Sequence, residues 1–249
     1  MEVHHHSHTP RKKWSHYFWE FLMLFLAVFC GFLAEYQLEH TIEHQREKKY
    51  ARSLLEDLKR DTADLANDIR WWNIQMNRID AIHRELDKPA SVRNTLLLYQ
   101  QAAFMRMYNA FEYHDRTIDQ LKNAGNFRLI RKKTVTDSLI DYDATVRSTL
   151  RNIEGGATTI FMTLNFLQNK LFDSKYFQFR SEKAILDSLQ KLYPPRFAVK
   201  SGNETELFEY TNHLYFYKGN MSIRVFTIRN LLNKAGRLIE MIQKEYRIK

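Results

Sequence analysis

Glycine and proline are scarce in this chain, at 7 and 4 of 249 residues. Together they make about 4% where ordinary usage is about 12%. That shortage excludes collagen-like, low-complexity and turn-rich β architectures, and it favours long uninterrupted helices. A single cysteine excludes a disulfide framework and any zinc cluster built on cysteines. Also missing are the G-x-S-x-G elbow, the phosphate-cradling glycine loop and the dinucleotide fingerprint. What remains is apolar and basic: 44% hydrophobic, 14% aromatic, with 38 Lys+Arg against 29 Asp+Glu. Such a chain is too apolar to be disordered throughout, and the sequence predicts an all-α protein.

The one long apolar run is Phe21 to Ala34, fourteen residues without a charged side chain. Fourteen alone would suit a core helix or a signal-peptide core. The flanks decide. Trp14, Tyr17, Phe18 and Trp19 stand on one side and Tyr36 on the other, the placement of interfacial aromatic belts. Tyr17 to Leu38 is 22 residues, about 33 Å of helix, enough to cross a bilayer. Residues 14–38 are therefore read as a transmembrane anchor facing lipid through Trp14, Tyr17, Trp19, Phe21, Leu22, Leu24, Phe25, Leu26, Phe29, Phe32, Leu33 and Tyr36. A cut after Ala34 would follow Phe32 and Leu33, where signal cleavage needs small residues. A lipoprotein cut before Cys30 fails likewise at Phe29. Glu20 sits near the interface, within reach of headgroups or water.

Arg11, Lys12 and Lys13 directly precede the span, whereas Glu35, Glu39 and Glu43 come first on the far side. This places the amino terminus in the cytoplasm and residues 39–249 outside it, in the periplasm of a bacterium, attached to the inner membrane. Residues 1–13 form a short basic tail in which His4, His5, His6 and His8 could chelate a metal, although a solvated tail explains them as well.

Beyond the span a heptad stripe sets in. Leu55, Thr62, Ile69, Met76 and His83 form one row, and Leu58, Leu65, Trp72, Ile79 and Leu86 a second, an a/d pattern ending near Asp87-Lys88-Pro89. The anchor helix is expected to continue into it without a break. A second helix is predicted from Leu97 to Leu121, on Leu97, Phe104, Phe111 and Ile118, stopping at Ala124-Gly125-Asn126. Further helices are expected over Leu129–Ile153, with Gly155-Gly156 as a break, and over Thr158–Phe172, Ser181–Tyr193, Glu204–Tyr217 and Met221–Tyr246, with Pro194–Asn203 as a loop. Matching stripes on several helices favour one chain's bundle over an intermolecular coiled coil.

Three sets of residues invite a chemical reading. His40-Thr41-Ile42-Glu43-His44 matches H-x-x-E-H, in which two histidines four apart bind zinc and a glutamate acts as base. Its place at the opening of a stalk, away from any water-excluding cleft, makes His40, Glu43 and His44 a remote candidate for metal or hydrolysis. His83 and His114 fall on apolar stripes, but with a turn near Pro89 His114 lies opposite Leu65, about 27 Å from His83; they read as core histidines. Trp71 and Trp72 could line an interhelical pocket, the basis of a ligand-sensing alternative. No cofactor is implied. A net charge of +8 remains beyond residue 34, but basic residues alternate with acids and the domain faces away from nucleic acid, so anionic lipid or envelope polymer suits it better.

The stretch FWEFLMLFLAVFCGFLAEYQLEH, then EHQREKKYARSLLEDLKRDTADL, and later DQLKNAGNFRLIRKKTVTDSLIDYD resemble a group of uncharacterised single-pass membrane proteins of Bacteroidota. The resemblance implies an anchor, a helical domain and the bacterial envelope, and it carries no activity or site. Taken together, the sequence predicts a non-enzymatic helical scaffold or interaction module, with another envelope protein or a second copy as partner.

Overall fold

A computed structural model describes residues 13–107, 109, 111–177 and 204–248, with 153–157 and 176 described for their backbone alone. The protein is all-α. Its α-helices are α1 (Trp14–Leu86), α2 (Thr95–Phe104), α3 (Arg116–Asn123), α4 (Lys133–Leu171) and α5 (Glu204–Tyr246), with short 3-10 turns at Ala90–Val92, Asn126–Leu129 and Ser174–Phe177. The expected helix Ser181–Tyr193, the loop Pro194–Asn203 and the His-rich tail lie outside the described residues.

The chain divides into two units, 1–50 and 51–249. The described part of the first is the amino-terminal stretch of α1. It is long and apolar enough to cross a membrane. Its large apolar side chains are mostly exposed: Trp14 is 89% exposed and Leu24 67%.

In the second unit, the stretch of α1 after Tyr50 packs with α4 and α5. Lys234 of α5 bonds Asp141 of α4 at 2.7 Å, and the His213 ring reaches the Ile160 carbonyl at 3.1 Å. As one number rises the other falls, so α4 and α5 run antiparallel. Asp80 to Lys218 and Met76 to Ser222 place α1 antiparallel to α5 in the same way. The stripes are buried within one chain. Leu58, Leu65, Trp72, Ile79 and Leu86 are all in the core, and so are Ile228, Ala235 and Ile242 of α5.

The first expected row of α1 needs correction. Thr62, Ile69 and Met76 are only half-buried. The row one position earlier, Leu54, Asp61, Asp68, Gln75 and Ile82, is in the core. Leu55 and His83 at the ends of the expected row are buried, so the shift of one residue concerns its middle, where the buried positions Asp61, Asp68 and Gln75 are polar.

Three helix boundaries also differ. The described residues between 105 and 115 leave the helix expected over Leu97–Leu121, so α2 and α3 are separate. Side chains of α1 bind that segment instead: Asp68 the Asn109 side chain and Asp61 the His114 N–H. Gly155-Gly156 does not break α4, and Lys218-Gly219-Asn220 does not break α5. A glycine inside a helix costs about 1 kcal/mol relative to alanine, a penalty that packing on both sides can outweigh. Gly125 is the real stop: it adopts φ +62° just past α3, a left-handed conformation that glycine takes without strain.

Candidate functional site

The polar row of α1 has a partner at every step. Gln75 Nε2 donates to the Phe104 carbonyl at 3.4 Å. Asp68 accepts from Asn109 Nδ2 at 2.9 Å. Asp61 Oδ1 accepts from the His114 backbone N–H at 2.9 Å, and its Oδ2 from the Tyr142 hydroxyl of α4 at 2.8 Å. Asp57 Oδ2 accepts from the Thr117 N–H at 3.1 Å and from its hydroxyl. The α1 numbers fall 75, 68, 61, 57 while the partners rise 104, 109, 114, 117. A strip of irregular backbone therefore runs antiparallel along a helix whose side chains satisfy it. Buried backbone groups must be paired somewhere, and here Asp61 takes the His114 N–H and Asp57 the Thr117 N–H.

The same pairing starts α3. Its own N-cap residue, Asp115, makes no side-chain cap bond. Thr117 is the second residue of the helix, so Asp57, on another element, accepts one of the N–H groups that a helix start leaves over. Asp115 instead binds Arg147 of α4 at 2.9 Å, together with Asp119 at 2.7 Å.

Electrostatics in this cluster follow burial. Asp61, 1% exposed, is pushed up to about 6 by desolvation, against the lowering effect of the His114 and Tyr142 hydrogen bonds. Burial and the neighbouring carboxylates Asp143 and Asp61 raise the Tyr113 and Tyr142 phenols well above their ordinary value. Burial would also raise Asp143, but hydrogen bonds from Lys122, Arg147 and Tyr113 overcome it and hold the carboxyl below its usual range. The space enclosed by Asp57, Tyr113, His114 and Tyr142 is about 10 Å³, room for about one water molecule. The cluster is a fastening and offers no room for a substrate.

The histidines sit as the hairpin reasoning predicts. His114 lies beside Asp61 and Asp64, its ring 2.8 Å from Asp64, one turn from Leu65. His83 is buried, with its ring 3.7 Å from that of Tyr215. Burial lowers its pKa, with the Thr211 backbone pulling the other way. His40, Glu43 and His44 all lie on α1, and His44 Nδ1 stands 3.7 Å from Glu47. Among the described residues, no three His, Cys, Asp or Glu side chains group as a metal site.

Larger spaces lie in the second unit, among them one of about 400 Å³ beside Arg52, Glu56, Lys59 and Arg247. A cavity of about 310 Å³ opens between α1, α4 and α5. Trp72, Ile160, Met221 and Ile223 supply apolar wall, Thr149, Asn152 and Asn220 uncharged polar groups, and Arg224 the one charged group among its described lining residues. The Arg224 guanidinium lies over the Trp72 ring at 4.2 Å, and its charge acts on Asp68 to lower that buried carboxyl's pKa against desolvation. Trp71 meets Trp72 edge-on, ring centroids 4.6 Å apart, and is not part of the lining. Sequence reasoning reached Trp72 through its stripe but missed Arg224, since a buried arginine leaves no periodic signal.

The anchor residues are placed as one helical surface. Tyr17, Trp19, Phe21, Phe25, Leu26, Phe29, Phe32, Leu33 and Tyr36 are exposed with Trp14 and Leu24, and Leu22 is partly covered. On α5, Phe208, Tyr215, Phe216, Ile223 and Phe226 are also exposed, each at 56% or more. At 100° per residue they fall within one sector of the helix. Compared with known protein families, curated proteins and solved structures, the chain matches none.

Proposed function

We propose that this chain is a single-pass, membrane-anchored scaffold that binds another protein of the bacterial envelope through its helical domain and carries out no catalysis. In this reading the amino terminus lies in the cytoplasm, the anchor crosses the inner membrane, and residues 39–249 stand in the periplasm. The observation that carries it is the exposed apolar sector of α5, from Phe208 to Phe226. It extends over about 27 Å of helix, in a chain that also carries a helix apolar enough to span a bilayer. An apolar sector of that length suits an amphipathic helix laid along it, and exposed apolar patches of this kind mark interaction surfaces. The basic run Arg11-Lys12-Lys13 before the span supports the placement.

The test is a crosslinking pull-down of the tagged full-length protein from its own membranes, read by mass spectrometry. A recurrent envelope protein supports the scaffold. Recovery of this chain alone, or crosslinked only to itself, rejects it.

A further inference from the structure

In the second unit, a cleft of about 400 Å³ opens between α1 and the carboxy-terminal end of α5. Arg52, Glu56 and Lys59 line it from α1, and spacings of four and three put them on one face of that helix. Arg247 and Ile248 line it beyond the end of α5, and Leu55 adds a second apolar group. The described lining thus holds three cations and one acid. Among the described residues, Arg52, Lys59 and Arg247 make no ion pair, with Glu56 or with any other carboxylate. Elsewhere in the unit Lys122, Arg147, Lys218 and Lys234 each meet an aspartate. Three like charges gathered without partners repel one another, and an anion among them relieves that repulsion.

Arg247 is held there in a strained conformation. Its φ is +51°, and it is the one non-glycine residue with positive φ among the described residues. The helix α5 ends at Tyr246, and the Ile248 N–H donates to the Gln243 carbonyl at 3.2 Å, the six-to-one bond of a Schellman end. Glycine is the residue that such a left-handed position favours. The helix dipole favours a cation near this end, but Lys244 in the last turn already supplies one in helical backbone. Strain of this kind collects at ligand sites, and Arg247 lines the cleft.

We propose that this cleft binds a phosphate group, either free phosphate or the phosphate of a lipid headgroup. Arg52 and Arg247 offer planar forks of donors and Lys59 a point charge, the groups that phosphate oxygens take. Three cations and one acid leave a charge of +2, which matches a phosphate dianion better than a carboxylate. Lipid is a source because the same chain carries a helix apolar enough to cross a membrane. The site uses none of the exposed sector from Phe208 to Phe226, so it holds whether or not that sector takes a protein.

The test uses the full chain in dodecyl maltoside micelles, which carry no phosphate. Inorganic phosphate is titrated calorimetrically against acetate at equal ionic strength, with empty micelles as the blank. In a second arm phosphatidylglycerol is added to the micelles, and retained lipid is counted by native mass spectrometry. At least one of the two phosphates is expected to bind saturably, and Arg247→Gly to weaken it about tenfold, the increment of one charge-assisted contact. The thermal midpoint of Arg247→Gly is expected to be kept or raised, because glycine adopts that φ without strain. Binding of phosphate alone identifies the free ion as the ligand, and retention of lipid alone identifies the headgroup. Binding of neither overturns the proposal, as does acetate binding as tightly as phosphate. So does binding that Arg247→Gly leaves unchanged. Should Arg247→Gly not fold, Arg52→Gln is expected to weaken binding by the same factor and decides instead.

Discussion

Asp61 and His114 stand 53 positions apart, and the Asp61 carboxylate accepts the His114 backbone N–H at 2.9 Å. This contact and its neighbours hold the described residues between Phe104 and Arg116 against α1, where a stretch patterned like helix is not helical. The carboxylates of α1 fix the antiparallel register of the segment that follows the hairpin turn at Pro89. They do so in a core where an unmatched polar group costs about 1–3 kcal/mol.

Asp57 caps a helix it does not belong to. Asp57→Ala leaves the Thr117 N–H and hydroxyl without their acceptor in a buried place and is expected to lower stability by about 2–3 kcal/mol. Thr117→Ser, which keeps both donors, is expected to cost about 1 kcal/mol or less, through one lost methyl group. Urea unfolding of the full chain in neutral detergent, followed by circular dichroism, measures both. Equal losses would remove the capping role.

Asp61 makes stability fall as pH rises. Its folded pKa of about 6 lies above the ordinary 3.8, so the folded state holds the proton more tightly than the unfolded chain. The contribution is fully present below pH 3.8 and lost as pH passes 6, on the order of 2–3 kcal/mol. The groups acting on it are Tyr142, His114 and Asp57. Asp61→Asn cannot titrate and still offers an oxygen to the His114 N–H. The stability difference between Asp61→Asn and the unmodified protein is expected to change by that amount between pH 4 and 7, in favour of Asn at pH 7. A pH-independent difference would show that Asp61 is ionised throughout.

Burial of His83 acts with the opposite sign. Its pKa is lowered, so protonation favours the unfolded chain, and stability is lost as pH falls below the ordinary histidine value near 6.5. His83→Phe, which retains a ring against Tyr215, is expected to flatten that loss in melting curves taken from pH 7 to pH 5. An unchanged slope would contradict the assignment.

Two glycines separate a true helix stop from an apparent one. Gly125 has φ +62°, so Gly125→Ala is expected to destabilise by about 1 kcal/mol. Gly219 is helical, and a Cβ there meets nothing within 4 Å. Gly219→Ala is expected to stabilise by about 0.5–1 kcal/mol. Thermal midpoints of the two variants should move in opposite directions, and a fall for Gly219→Ala would argue that α5 breaks there.

The apolar lettering of the chain made the all-α class, the long first helix and the intrachain burial of Leu58, Leu65, Trp72 and Ile79 legible. It misplaced the other buried row of α1, because Asp61, Asp68 and Gln75 are polar and a hydrophobic count assigns polar residues to solvent. Their burial depends on partners 29 to 81 residues away, from Phe104 for Gln75 to Tyr142 for Asp61, and pairing across such distances leaves no periodic trace. Scarce glycines read as stops at 155–156 and 219 because local propensity was weighed without the packing that overrides it. Arg224 was invisible for the same reason as Asp61: its place is set by Trp72 and Asp68 on another helix.

The scaffold reading stands or falls on the α5 sector. A photo-crosslinking amino acid placed at Phe226, and for comparison at the exposed Glu56 of α1, in the full-length protein in its native membrane, tests it most directly. The account predicts one recurrent envelope protein captured from position 226 and not from position 56. Capture of only a second copy of this chain, or equal capture from both positions, would contradict it.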